Sequence, residues 1–219
     1  MARPLQYLFF LLIVRPLALI VIGLNVRHRE RLPVHGPVLL VANHNSHLDT
    51  VVLLSLFSLS TLTKLRPVAA ADYFLSNKAL AWFALNIMNI IPLKRGAPVR
   101  GEHGERGEDP LQPCSDALAR GEMLILFPEG TRGEPEQLAA FKTGIAHLAK
   151  RHPDVPIVPV FLHGLGKSLP RGEALLVPFF CDVFVGDALK WNGDRKVFMD
   201  ELEHAVKSLA AEGHFPTWS

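Results

Sequence analysis

Cysteine is scarce. Only Cys114 and Cys181 occur among the 219 residues, in unrelated segments and without metal-type spacing. A disulfide framework and a cysteine-built zinc site are thereby excluded, and two inert thiols in a reducing, cytosol-facing setting are expected. Strong charge of one sign is also missing: 23 Lys and Arg stand against 21 Asp and Glu, a formal net charge of +2. That balance favours neither a lipid nor a nucleic-acid partner, so only the placement of the charges can speak. An unbroken transmembrane run is absent too. The most apolar stretch, LQYLFFLLIVRPLALIVIGL from Leu5 to Leu24, is interrupted by Arg15 and Pro16. Its length matches a bilayer core, but an arginine at mid-membrane costs about 2.5 kcal/mol or more and the proline breaks or kinks a helix. No small-residue cleavage site follows, which excludes an ordinary signal peptide. There is no internal repeat and no low-complexity tract, and the length suits one domain with a proper core.

What the N-terminal stretch offers instead is two short helices meeting at Arg15–Pro16. Such a hairpin dips into one leaflet while Arg15 reaches back to the headgroups. A full span and a helix of the protein core are the alternatives. Up to Arg31 the chain carries five arginines against Glu30 alone, and RHRER (Arg27 to Arg31) follows the apolar run directly. Basic residues beside a membrane segment favour the anionic cytoplasmic leaflet. Residues 1–32 are therefore read as a membrane anchor and 33–219 as a catalytic domain.

From Pro33 onward strand-like and helix-like runs alternate. Strands are expected at Val38–Ala42, Pro67–Ala71, Asn89–Leu93, Met123–Phe127 and Val155–Leu162, with β-rich chain from Ala174 to Gly186. Helices are expected at Leu48–Leu62, Lys78–Asn86, Pro113–Arg120, Phe141–Arg151 and Asp194–Ala211. The last has Asp194 as its cap and Phe198, Leu202, Val206 and Leu209 on one face. Lys94 to Pro110, rich in glycine and in charges of both signs, reads as a surface loop near the site. Alternation of this kind predicts an α/β domain with a largely parallel central sheet flanked by helices.

Two polar clusters each leave a strand by its carboxyl end, where open α/β sheets bind ligands. They are NHNSHLD (Asn43 to Asp49) and FPEGTRG (Phe127 to Gly133). On one continuous helix His44 and Asp49 face apart. With His44 in the turn and Asp49 in the first helical turn they can meet, and a carboxylate on one ring nitrogen then prepares the other to accept a proton. A bland alternative makes Ser46-x-x-Asp49 a capping box and His44 a surface residue. Ser46 as a nucleophile lacks a Gly-x-Ser-x-Gly elbow. A metallo-β-lactamase pattern needs histidines where Asn45 and Thr50 stand. In the second cluster Gly130 permits close backbone approach, Thr131 adds a hydroxyl and Arg132 a planar fork suited to phosphate. Arg95 and Lys142 are further cations within possible reach, solvated surface charge being the alternative for each.

The chain resembles the 1-acylglycerol-3-phosphate acyltransferases and related glycerolipid acyltransferases in four blocks, in order: NHNSHLD, IPLKR (Ile91 to Arg95), FPEGTRG and VPIVPV (Val155 to Val160). The resemblance implies His44 as general base, held by Asp49. It implies Arg95, Glu129, Gly130 and Arg132 around the acceptor's phosphate, with Val155–Val160 shaping the acyl pocket and an N-terminal helical pair on the membrane. His47 and the pair Lys94–Arg95 depart from the commoner pattern and bear on which headgroup is accepted. The expected reaction moves a fatty acyl group from acyl-CoA or acyl-carrier protein to the free hydroxyl of a lysophospholipid. No metal, resident cofactor or nucleic-acid partner is expected, and the expected location is the cytoplasmic face of the inner (plasma) membrane. Rival readings are an acyltransferase for lyso-ornithine lipid or lysophosphatidylethanolamine, a thioesterase, and a non-catalytic lipid binder.

Overall fold

The computed structural model describes residues 2–18, 23–46, 48–94, 109–130, 138–168 and 180–215. A seven-stranded sheet forms its centre: β1 (Leu24–Arg27), β2 (Val38–Ala42), β3 (Leu65–Ala70), β4 (Ile91–Leu93), β5 (Met123–Leu126), β6 (Ile157–His163) and β7 (Cys181–Val185), in spatial order β1-β7-β6-β2-β5-β3-β4. Strands β2 to β6 run parallel to one another, β7 is antiparallel to β6, and β1 is parallel to β7. The fold is thus α/β with a mostly parallel sheet. The sequence VLLVA of β2 is buried at every position because the strand sits between β5 and β6 with helices on both faces; such strands read as unbroken apolar runs.

The helices are α1 (Ala2–Phe9), α2 (Leu48–Ser55), α3 (Leu59–Leu62), α4 (Ala71–Phe74), α5 (Lys78–Asn86), α6 (Gln112–Ala119), α7 (Gly144–Arg151), α8 (Leu165–Ser168) and α9 (Arg195–Glu212). On one face of the sheet Leu40, Ala42, Ile125, Val160 and Leu162 pack against α2 and the N-terminal helix. On the other, Leu39, Val41, Leu124 and Ile157 meet α6, α7 and α9. Asp194 caps α9 through Oδ1, accepting from the amides of Lys196 and Val197 at 2.7 and 2.9 Å, and the expected apolar face of that helix is buried.

Three local expectations are corrected. The chain does not break at Arg15–Pro16: α1 passes into a π-helical stretch at Phe10–Val14, and helical backbone continues to residue 18. The Arg15 amide reaches back five residues to the Phe10 carbonyl, and this wider turn makes room for the proline ring that an α-helix would reject. The second half of the expected hairpin falls partly at 19–22, outside the described residues. Leu48–Leu62 is two helices, not one. Leu56 and Phe57 turn into the core and Ser58 takes an extended conformation, while the freed carbonyls at the end of α2 accept from arginines: Phe57 from Arg15 at 3.3 Å and Leu56 from Arg29 at 3.5 Å. Cations suit the carbonyl end of a helix. Arg15 therefore serves the fold and not the headgroups.

The RHRER cluster is likewise largely spent inside the molecule. Leu24–Arg27 forms β1, Arg31 pairs with Asp187 at 3.2 Å, and His28, in the left-handed region at φ 57°, meets Glu212 at 2.8 Å. These contacts fasten the sheet edge to the end of α9. Among the described residues no helix is long and apolar enough to cross a membrane.

Candidate functional site

The ladder pairs Val41 of β2 with Leu126 of β5, and Ala42 with Val160 of β6. The carboxyl ends of three neighbouring strands therefore lie level, and the turns that follow β2 and β5 share one rim. After Ala42 the chain leaves the sheet, and α2 begins at Leu48. His44 occupies the turn and Asp49 the first turn of the helix, the geometry required for them to meet.

Asp49 is fully buried, and its Oδ2 accepts three hydrogen bonds: from His44 Nδ1 at 2.8 Å, the Asn45 amide at 2.6 Å and the Ser46 amide at 2.8 Å. Ser46 Oγ in turn accepts from the Leu48 amide at 3.3 Å. The capping box and the held imidazole, set against each other on sequence grounds, are one structure built on one oxygen. Complete burial pushes the Asp49 carboxyl above its ordinary range, opposed by the hydrogen bond and charge of His44 and by the Ser46 and Asn45 amides. A carboxylate offers only lone pairs, so Nδ1 carries the ring proton and Nε2 is the bare nitrogen. The ring lies flat on Phe127, centroids 4.1 Å apart at 20°, which fixes its rotation about both ring-bearing bonds. Ser46 is buried, which sets aside its reading as a nucleophile. The Cys114 thiol, pushed up to about 12 by burial, is no nucleophile either.

Glu129 enters from the β5 turn. It is almost wholly buried, and its Oε1 accepts from the His44 amide at 3.1 Å. Burial raises its carboxyl above the ordinary range, opposed chiefly by the His44 amide and ring; the Asp49 charge pushes the same way as burial. Glu129 thus braces the turn that carries the imidazole, whereas a place around the acceptor's phosphate was expected from the resemblance. Gly130 follows at φ 72°, closing a tight turn with its amide on the Phe127 carbonyl at 3.0 Å. A Cβ there would stand 2.5 Å from Lys142 Nζ. The lysine stem therefore lies across the glycine, and the Lys142 amide holds the Pro128 carbonyl at 2.8 Å.

His44, Asp49 and Glu129 are in direct contact, and Gly130 and Lys142 adjoin Glu129. Arg95, Thr131 and Arg132, like His47, lie outside the described residues. Sequence reasoning missed two asparagines. The buried Asn43 donates Nδ2 to the Leu162 carbonyl at 2.8 Å and accepts the Leu162 amide on Oδ1 at 2.7 Å. Its side chain prolongs the β2–β6 ladder by one rung after the backbone has turned away. Asn45 adds a bond to the same carbonyl at 3.2 Å. Polar amides immediately behind an apolar strand were the available signal.

A family model described as acyltransferase matches residues 23–163, which hold every strand but β7 and all the site residues above. The chain is 33% identical over 151 residues to a chloroplast 1-acyl-sn-glycerol-3-phosphate acyltransferase of Arabidopsis thaliana, covering 68% of this chain and 38% of that protein. It is 32% identical over 150 residues to a chloroplast enzyme of the same description from Brassica napus, covering 68% of this chain and 40% of the other. The matched region thus spans about two-fifths of those relatives. The crystal structure of a 1-acyl-sn-glycerophosphate acyltransferase from Thermotoga maritima superposes with a TM-score of 0.73 over 99% of this chain and 81% of that one. At 21% identity that likeness is one of fold. Matched over most of its length by that model, this chain belongs to the acyltransferase family, the family of the 1-acyl-sn-glycerol-3-phosphate acyltransferases.

Proposed function

We propose that the chain transfers a fatty acyl group from acyl-CoA or acyl-carrier protein to the free sn-2 hydroxyl of 1-acylglycerol 3-phosphate, giving phosphatidic acid. The observation that carries this reading is the imidazole of His44, held by Asp49 at 2.8 Å on the rim of the sheet with its Nε2 bare. Nε2 takes the hydroxyl proton, the oxygen attacks the thioester carbonyl, and the tetrahedral intermediate expels the thiolate, which needs little acid help. Asp49 keeps the tautomer and stabilises the imidazolium.

The amides of residues 44, 45 and 46 are all spent on carboxylates. Cations must therefore supply the pull on the acceptor's phosphate and on the developing oxyanion. Lys142, Arg95 and Arg132 are assigned here, with the Thr131 hydroxyl as a further donor. Gly130, lacking a Cβ, lets the Lys142 stem lie across the β5 turn, while Glu129 acts on His44 and not on the lipid, since a buried carboxylate repels phosphate. Residues 1–32 hold the chain on the cytoplasmic face of the inner (plasma) membrane and 33–219 carry the chemistry, with β1 stitching the two together. Five apolar side chains of the N-terminal helix (Leu5, Leu8, Leu11, Leu12 and Ile13) face outward and support the membrane contact.

The test is transfer from radiolabelled acyl-CoA in the presence and absence of lysophosphatidate. Lysophosphatidate-dependent phosphatidic acid is expected, and His44→Ala should lower turnover by about 10³-fold without releasing the protein from membranes. Free fatty acid as the sole product would make the chain a thioesterase. Labelling of another lysolipid alone would move the acceptor, and full activity of the alanine variant would defeat the assignment of the base.

A further inference from the structure

Two segments carry most of the large apolar side chains that face water among the described residues. The N-terminal helix shows Leu8, Leu11 and Leu12, the last 61% exposed. The chain from α4 through α5 shows Tyr73, Trp82 and Leu85, with the indole of Trp82 50% exposed. The two segments form one surface. Gln6 Nε2 donates to the Ile87 carbonyl at 2.9 Å, and the Phe9 ring stands edge-on to Phe83 with centroids 5.3 Å apart. The α5 sequence KALAWFALN is apolar nearly all round, with Lys78 its one charge, yet only Ala84 is fully buried. A helix of that composition belongs in a core or against lipid.

The charges select the occupant. Residues 2–18 and 71–86 contain Arg3, Arg15 and Lys78 against Asp72 alone, with Arg15 engaged by the Phe57 carbonyl. An apolar face with an interfacial tryptophan and a small basic excess matches the headgroup–acyl boundary of an anionic bilayer. We propose that α5 is a second membrane-contacting element, seating Trp82 and Leu85 in an anionic bilayer beside the exposed face of the N-terminal helix. The inference rests on the reading that this helix lies on a membrane, and it adds a contact made by the catalytic domain itself. The segment starts at the carboxyl end of β3, the end of the sheet where His44 sits, and α5 carries it back towards the start of the parallel strand β4.

The chain has three tryptophans, so Trp191→Phe with Trp218→Phe leaves Trp82 as the only indole. Adding phosphatidylcholine vesicles that contain phosphatidylglycerol should shift its emission to the blue, and brominated acyl chains should quench it. Vesicles of phosphatidylcholine alone should give a weaker response. In otherwise unaltered protein, Trp82→Ser with Leu85→Ser should reduce vesicle partition by about tenfold or more while acyl transfer to detergent-dispersed substrate is retained. Emission that stays red while the protein sediments with vesicles overturns the proposal and leaves the N-terminal anchor and the chemistry standing. A blue shift that follows protein concentration without lipid assigns the face to a second copy and overturns it as well. A lipid-dependent shift in a chain that transfers no acyl group upholds the contact and removes the proposed reaction instead.

Discussion

The buried carboxyl of Glu129 sets a conflict between stability and use. Its proton affinity is raised by burial and by the neighbouring Asp49, so the folded chain holds that proton more tightly than the unfolded one. The stability this supplies is complete in acid, below the unfolded value, and is lost as pH rises through the raised folded value. Glutamine keeps an acceptor for the His44 amide but cannot ionise. Denaturant unfolding of Glu129→Gln and the parent at about pH 5 and about pH 8 should show the variant gaining on the parent at the higher pH. Turnover should fall at the same time, because the brace becomes an uncharged one. A variant that gained nothing on the parent between the two pH values would show that burial does not raise the proton affinity of this carboxyl, which then ionises in the folded chain as readily as in the unfolded one. His44 and Asp49 were legible at this scale because a turn followed by a helix start is the one local geometry that joins them. The role of Glu129 was not legible, since no spacing rule announces that a residue 85 positions away will accept the His44 amide.

At the scale of elements, the site is only as firm as the join between β2 and β6. Asn43 satisfies both backbone groups of Leu162 with one side chain. Replacing it with alanine strands a buried amide, leaves the carbonyl only its longer bond from Asn45, and should cost about 2 kcal/mol. The damage would be registered at His44, one residue along. Asn43→Ala should therefore lose kcat more than its lowered melting temperature explains when assayed well below the transition; a loss that tracks the folded fraction alone would make Asn43 merely structural. Strands β2, β5 and β6 were legible as apolar runs of the right length, and α9 from its cap and periodicity. The break between α2 and α3 was not, because nothing at Leu56–Ser58 breaks a helix locally. It depends on Arg15 and Arg29 arriving from elsewhere in the chain, and tertiary partners override propensity.

For the molecule as a whole, the N-terminal helix has two faces with two tasks. Phe10, Val14 and Ala18 are buried against the domain while Leu8, Leu11 and Leu12 face out. Trimming residues 1–18 to make a free catalytic domain should uncover that part of the core and lower stability by about 3–5 kcal/mol. Thermal unfolding in mild detergent checks this, and an unchanged melting temperature would make the helix an accessory. Sequence reasoning assigned residues 24–27 to the anchor region because they adjoin its apolar run, and nothing local reveals that a strand pairs with chain far downstream. That pairing also bears on how the molecule comes into being. Strand β1 sits at the sheet's edge with β7 as its neighbour, and the bond from Asn25 to Asp182 closes a gap of 157 residues. Since a ribosome releases the N-terminal end first, the oily arm is out in the cell long before its own strand has anywhere to dock. Whatever receives that arm during synthesis, a lipid surface or a chaperone, does so before the enzyme exists.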